Sequence, residues 1–346
     1  MVSNHDGSEH IRAMTLPDDY AAARRHAAVL DLGTRGRIAV RGADRKTFLH
    51  ALLTNDVALL GPGTGCYAAL LTPQGRMAAD MNVFELGDAT LVDIDGRVKD
   101  RLLEHFDWLI FSEDVQLGDV TGAWECLGVY GPGAAAAVGG VVGADLAGFA
   151  PFQNARVPWR EEVVVVARRD GLGLPGFLLF AAAEPTAALA AELRGTGAVP
   201  LSRDSAEALR LEAGEPAFLA DMTDDTIPFE AGIEGRAVSF TKGCFPGQEV
   251  LVRIRDRGHG KVARKLVGMV LEGESVPAEG SSIVSGESEG AKDIGRVTSA
   301  IFSPALGRPI ALGYVHRDYV EPGTAVTIAA GAGPLPAVVS SLPFVV

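Results

Sequence analysis

The run Thr241-Lys242-Gly243-Cys244-Phe245-Pro246-Gly247-Gln248-Glu249 gathers a cation, a thiol, an amide and a carboxylate into one short stretch. Gly243 and Gly247 permit a tight turn or a close approach, and Pro246 removes a donor and biases Phe245 toward extended backbone. The run predicts a shaped loop that presents polar groups. Cys244 has two readings. A nucleophilic thiolate needs a base or a nearby cation, for which Lys242 and His259 are the candidates. A small buried core thiol needs neither.

Two carboxylates are the other candidates. Glu212 ends a predicted helix, Arg203 to Ala213, with Ser202 as its N-cap. A carboxylate at a helix C-terminus opposes the macrodipole and calls for a partner. That partner is either an ion pair with Arg210 or Arg253, or the paired N–H donors of a heterocycle. Asp80 interrupts an otherwise apolar strand, with Met81 and Val83 on the opposite face. It faces either solvent or a pocket.

Other motifs fall away. Gly171-Leu-Gly173-Leu-Pro-Gly176 matches GxGxxG, but a second β run follows where a dinucleotide fold needs a helix. No GxxxxGK[ST] loop occurs, and the histidines form no HExxH and no helical pair, so no metal site is expected.

The elements that must position these groups follow from periodicity and turn chemistry. Helices are expected over Asp18–Val29, Arg45–Leu53, Arg97–Phe111, Gly133–Val138, Pro185–Gly195 and Arg203–Ala213. Strands are expected over Gly36–Arg41, Cys66–Leu71, Met77–Glu85, Ala89–Ile94, Val115–Val120, Glu125–Tyr130, Val163–Arg168 and Gly176–Phe180. Residues 140–158 are weakly patterned, and Glu215 to Gly235 reads as irregular and acidic. From Lys261 onward, short strands punctuated by Gly and Pro (Lys265–Leu271, Ser282–Ser285, Gly295–Ser303, Arg308–His316, Ala325–Ala329, Pro336–Leu342) predict a small barrel or Greek key.

With 346 residues and 47% hydrophobic composition, the chain is a globular protein of more than one domain or subdomain. A net charge of −13 argues against direct nucleic-acid binding. Three widely spaced cysteines offer no disulfide framework, and neither a signal peptide nor a membrane span is evident, so a monomeric cytoplasmic protein is expected. Cys66 and Cys126 begin or occupy apolar strands and are expected in the core, with Cys244 accessible.

Lys242 to Glu249 resembles the K-G-C-[FY]-x-G-Q-E signature of the YgfZ family of folate-binding proteins, relatives of the glycine cleavage T-protein, and matches every fixed position. Arg210-Leu211-Glu212-Ala213-Gly214 is similar to the superfamily's R-[LI]-E-x-G segment. Phe48 to Val57 and Leu71 to Met77 resemble its early helix-turn and its glycine turn. The resemblance implies an α+β, GcvT-like fold of three domains in a cloverleaf or ring around a central folate channel, with a C-terminal β-barrel. It places a disordered tail at 1–17, two interleaved α+β subdomains at 18–258 and the barrel at 259–346.

By this resemblance tetrahydrofolate binds against Glu212, with Asp80, Asn55, Asp93, Arg210, Gln248, Glu249 and Arg253 as further contacts. The basic run Arg253, Arg255, Arg257 and Lys261 would hold the glutamate tail. Cys244, Lys242 and Asp80 would carry the chemistry. The implied role is maintenance of iron–sulfur proteins, including enzymes that thiomethylate tRNA, with such proteins as clients and no classical turnover. The alternative is a folate-dependent aminomethyltransferase or other one-carbon transferase. The T-protein carries an Asp-Asp doublet where this chain has Ala79-Asp80, which weighs against that alternative. A scaffold with a vestigial pocket is the third reading.

Overall fold

A computed structural model of the chain describes residues 17–286, 291–331 and 333–345. The tail expected at 1–17 lies, except for Pro17, outside the described residues. Three β systems carry the architecture. A six-stranded sheet runs in the order Val199–Pro200, Ala28–Asp31, Glu125–Tyr130, Gly176–Ala181, Glu162–Arg168, Asn154–Trp159. A five-stranded sheet runs Thr64–Leu71, Met77–Glu85, Thr90–Asp95, Arg35–Arg41, Gln116–Asp119. A closed barrel follows, in the order Arg264–Leu271, Arg308–His316, Asp293–Ser303, Ser282–Ser285, Ala325–Ala330, Gly333–Ser340. Closure leaves the barrel no free edge, which short strands of this kind require to avoid exposed backbone donors.

The two sheets are interleaved along the chain. Ala28–Asp31 belongs to the first sheet, the next five strands build the second, and Glu125–Tyr130 returns to the first. The chain therefore crosses twice between the sheets, at Leu32–Thr34 and at Val120–Trp124. Arg37 sits between the crossings, 1% exposed. It donates to the carbonyls of Leu32 and Gly33 at 3.5 Å and of Thr121 at 2.9 Å. Its Nε has no partner, and it forms no ion pair among the described residues.

Helices cover the sheets where apolar spacing predicted them. Arg45–Leu52 and Lys99–Leu109 bury Phe48, Leu49, Leu102 and Phe106 in the core under the second sheet. The expected first helix stops at Arg25, and Ala28 and Val29 are strand instead, because they pair in register with Tyr130 and Val129. Asn154–Trp159, hidden in the weakly patterned stretch, is an edge strand that alternates toward solvent.

The signature run is not wholly a loop. Gln248 opens a helix, Gln248–Asp256, whose N-cap is Gly247 at φ +79°. A Cβ at Gly247 would lie 2.5 Å from the Thr72 carbonyl and 2.8 Å from Gly75 Cα. A Cβ at Gly75, itself at φ +76°, would meet Val250 at 2.9 Å. The turn Pro73-Gln74-Gly75 and the helix start thus pack backbone to backbone, and only glycine fits either side. Gly247→Ala is expected to lower stability by about 2 kcal/mol or more, from left-handed strain plus overpacking. Urea unfolding of the variant checks this, and an unchanged midpoint would refute the close contact.

Candidate functional site

The cleft with the densest chemistry lies between the two sheets and the segment 215–218. It has a volume of about 220 Å³ and is lined by Arg35, Tyr67, Asp80, Asn82, Asp93 and Arg169, among others. Strand register assembles it. Tyr67 stands opposite Asn82, and Asn82 opposite Asp93, on three adjacent strands. Asp80 and Asn82, two residues apart, project to the same face.

The side chains form a connected polar lattice. Tyr67 donates its hydroxyl to Asp80 Oδ2 at 2.7 Å, and Arg236 lies over the Tyr67 ring at 5.0 Å. Arg35 donates Nε–H to Asp93 Oδ1 at 2.7 Å, Asn82 donates to Asp93 Oδ2 at 2.8 Å, and Arg169 donates to Asn82 Oδ1 at 2.9 Å. Burial raises the Asp80 pKa from its ordinary value. The Tyr67 hydrogen bond and the Arg35, Arg236 and Arg169 cations pull it back without cancelling the desolvation. A carboxylate of raised pKa in a cleft suits proton transfer.

The other predicted residues lie elsewhere. Glu212 is 1% exposed and does not line the cleft. Its carboxylate accepts from Tyr20 and Ser303 hydroxyls and the Ala305 N–H, with Arg24 at 3.4 Å. It therefore joins the helix Arg203–Glu212 to the first helix and the barrel; neither Arg210 nor Arg253 is its partner. Residues two apart on a helix point to different sides, and Arg210, not Glu212, reaches the cleft wall. The Arg210 guanidinium is occupied by Glu207, Asp221 and Ser299.

Asn55 donates to the carbonyls of Tyr67 and Arg236, supporting the cleft from behind. Asp93 lies in the cleft but is fully buried, with both oxygens taken. Gln248, Glu249 and Arg253 lie on the helix that begins inside the signature, outside the cleft. Arg255, Arg257 and Lys261 are exposed and also outside it.

Cys244 is a free, exposed thiol that does not line the cleft. Lys242 does not serve it. Its ammonium is buried and donates to the carbonyls of His50 and Leu53, at the C-terminal end of the helix Arg45–Leu52, and burial lowers its pKa to about 8. Cys126 is buried as expected; Cys66 is partly exposed, and burial pushes its thiol up to about 12. No group of three or more His, Cys, Asp or Glu among the described residues could hold a metal ion. No helix among them is long and apolar enough to cross a membrane.

Sequence reasoning missed Tyr67, Asn82, Arg35, Arg169 and Arg236. Period-two alternation from Asp80 points to Asn82; the rest depend on strand pairing and on contacts distant in sequence.

The raised Asp80 pKa has a stability consequence. The folded protein holds this proton more tightly than the unfolded chain, so stability falls as pH rises from the unfolded-state value through the folded one. Asp80→Asn removes that penalty while retaining an acceptor for Tyr67. The variant is expected to be more stable than wild type at about pH 7, with the gap closing toward about pH 4. Urea midpoints across that range check the sign; a gap that widens on acidification would refute it.

Comparison with known proteins matches the chain to a family. The GCVT N-terminal domain covers residues 8–242, and the glycine cleavage T-protein C-terminal barrel domain covers 264–345. The chain is 33% identical over 326 residues to an aminomethyltransferase of Rubrobacter xylanophilus, covering 94% of this chain and 85% of the relative. It is 31% identical over 313 residues to an aminomethyltransferase of Streptomyces coelicolor, covering 89% and 83%. The crystal structure of glycine cleavage system aminomethyltransferase T from Bartonella henselae superposes with a TM-score of 0.84 at 25% identity, covering 94% of this chain and 88% of that one. The fold is GcvT-like, with mixed α/β domains and a closed six-stranded C-terminal barrel. These relatives overturn the expectation of an iron–sulfur maintenance factor with iron–sulfur clients, because they are aminomethyltransferases matched over most of the chain. The chain belongs to the glycine cleavage T-protein family.

Proposed function

We propose that the chain is a tetrahydrofolate-dependent one-carbon transferase of the aminomethyltransferase type. The observation that carries the reading is Asp80, a desolvated carboxylate held by Tyr67 in a cleft between the two sheets. Asp80 Oδ2 takes the Tyr67 hydroxyl and leaves Oδ1 for a ligand N–H. A pterin offers such donors along one edge.

The cleft volume of about 220 Å³ is smaller than a typical pocket for a whole drug-sized ligand and suits a ring system. A second groove of about 570 Å³ shares Glu215 and Pro216 with the cleft and is also lined by Arg236 and Lys265. The rest of the folate lies along it in this reading.

When a folate nitrogen attacks a one-carbon unit, the nitrogen loses a proton and the departing amine gains one. A carboxylate of raised pKa at the attacking nitrogen accepts the first proton and supplies the second. The Arg35–Asp93–Asn82–Arg169 lattice keeps the adjoining wall in place, since each member is fixed by the next.

Calorimetric titration with tetrahydrofolate tests binding, and formation of the one-carbon folate from an aminomethyl donor tests transfer. Wild type is expected to bind and to transfer. Asp80→Asn is expected to lose about 100-fold or more in kcat with a far smaller change in folate affinity. No binding by wild type would end the proposal, and a full rate in Asp80→Asn would remove the proton-transfer role.

A further inference from the structure

Two guanidinium groups in the cleft are each anchored along one edge. Arg169 donates Nε–H to Asn82 and rests 5.6 Å from the Phe152 ring centroid. Arg35 donates Nε–H and Nη2–H to Asp93. Among the described residues, both terminal nitrogens of Arg169 and Nη1 of Arg35 lack a hydrogen-bond partner. None of the three is a buried unpartnered atom, so they meet solvent in the cleft.

Charge is spent unevenly there. Asp93 neutralises Arg35, but Arg169 forms no ion pair among the described residues. The remaining acidic groups of the cleft are engaged elsewhere. Asp95 pairs with Arg97, and Glu215 accepts the N–H groups of Leu172 and Gly173. Both Arg35 and Arg169 lie near enough to Asp80 to act on its charge. The wall therefore presents unspent cationic donors next to one unspent carboxylate oxygen.

A guanidinium fork matches a carboxylate bidentately. We infer that Arg169, aided by Arg35, is the receptor for a carboxylate on a small amino-acid-type ligand whose nitrogen meets Asp80. This rests on the transferase reading, in which a one-carbon donor must share the cleft with the folate ring. The other source of the same chemistry is the glutamate of the folate itself.

The test titrates wild type, Arg169→Gln and Arg169→Lys by calorimetry with four probes: N-methylglycine, methylamine, tetrahydrofolate and tetrahydropteroate, which lacks the glutamate. Urea midpoints establish that the variants fold. N-methylglycine is expected to bind wild type roughly tenfold or more tightly than methylamine does, and to lose a similar factor in Arg169→Gln. Arg169→Lys keeps the charge and loses the fork, so it is expected to recover only part of that loss. If tetrahydrofolate loses the affinity instead, and tetrahydropteroate shows the same loss in wild type, the receptor stands and its carboxylate is the folate's own. The inference is overturned if Arg169→Gln binds N-methylglycine and tetrahydrofolate as wild type does, or if methylamine matches N-methylglycine while removal of the glutamate costs nothing. Wild type that binds N-methylglycine but not tetrahydrofolate keeps the receptor and removes the transferase reading.

Discussion

Arg37 holds the point through which the two-sheet architecture passes. The chain leaves the first sheet at Leu32 and re-enters it after Val120, and the same buried guanidinium grips both crossings. Desolvating an arginine without a carboxylate is costly, and only carbonyl dipoles offset it here. The cost is tolerated because the crossings present several carbonyls at one spot, each able to accept from the guanidinium. Holding the crossings together also sets the spacing of the sheets. Arg35 lies two residues away on the same strand and so enters the cleft at a fixed height above Asp93.

The cleft inherits its order from that arrangement. Tyr67, Asn82 and Asp93 come from three neighbouring strands, so their positions follow from pairing rather than from flexible loops. Each is hydrogen-bonded to a group that is itself held, which is how a polar wall keeps one geometry in a poorly solvated space. Asp80 is the exception. Its burial is only partly compensated, and a group left in that condition is where proton chemistry is most readily placed.

Much of the fold was legible in the sequence because alternation and glycine turns are local. The barrel strands and the run Met77–Glu85 follow from period two, and Ser202 caps its helix as its side chain requires, accepting the Ser205 N–H. What was not legible is long-range. Ala28 and Val29 have helical neighbours but strand partners 102 and 100 residues later in the chain, at Tyr130 and Val129. Asn154–Trp159 turns Ala155, Val157 and Trp159 to one side, but this short alternation is masked by the Gly, Ala and Pro of the stretch around it. In the site, Asp80 could be singled out as a charge in an apolar strand, but Arg169 and Arg236 reach it only through folding. Glu212 misled because a segment match fixes residue types, and the face of the helix on which each side chain emerges decides what it touches.

The signature run shows the same distinction in reverse. Its composition invites a chemical reading, yet most of its residues have packing duties. Gly247 permits backbone contact with the Gly75 turn, and that turn feeds the strand bearing Asp80. Lys242 ties the run to the end of the helix Arg45–Leu52 through two carbonyls that the helix leaves unpaired. Phe245 is buried in the same core as Leu49, Met77 and Leu251. The run therefore fixes a turn and a helix end behind the strand that bears Asp80. Its dense polarity serves geometry one layer away from the cleft, and Cys244 and Glu249 are left exposed to solvent.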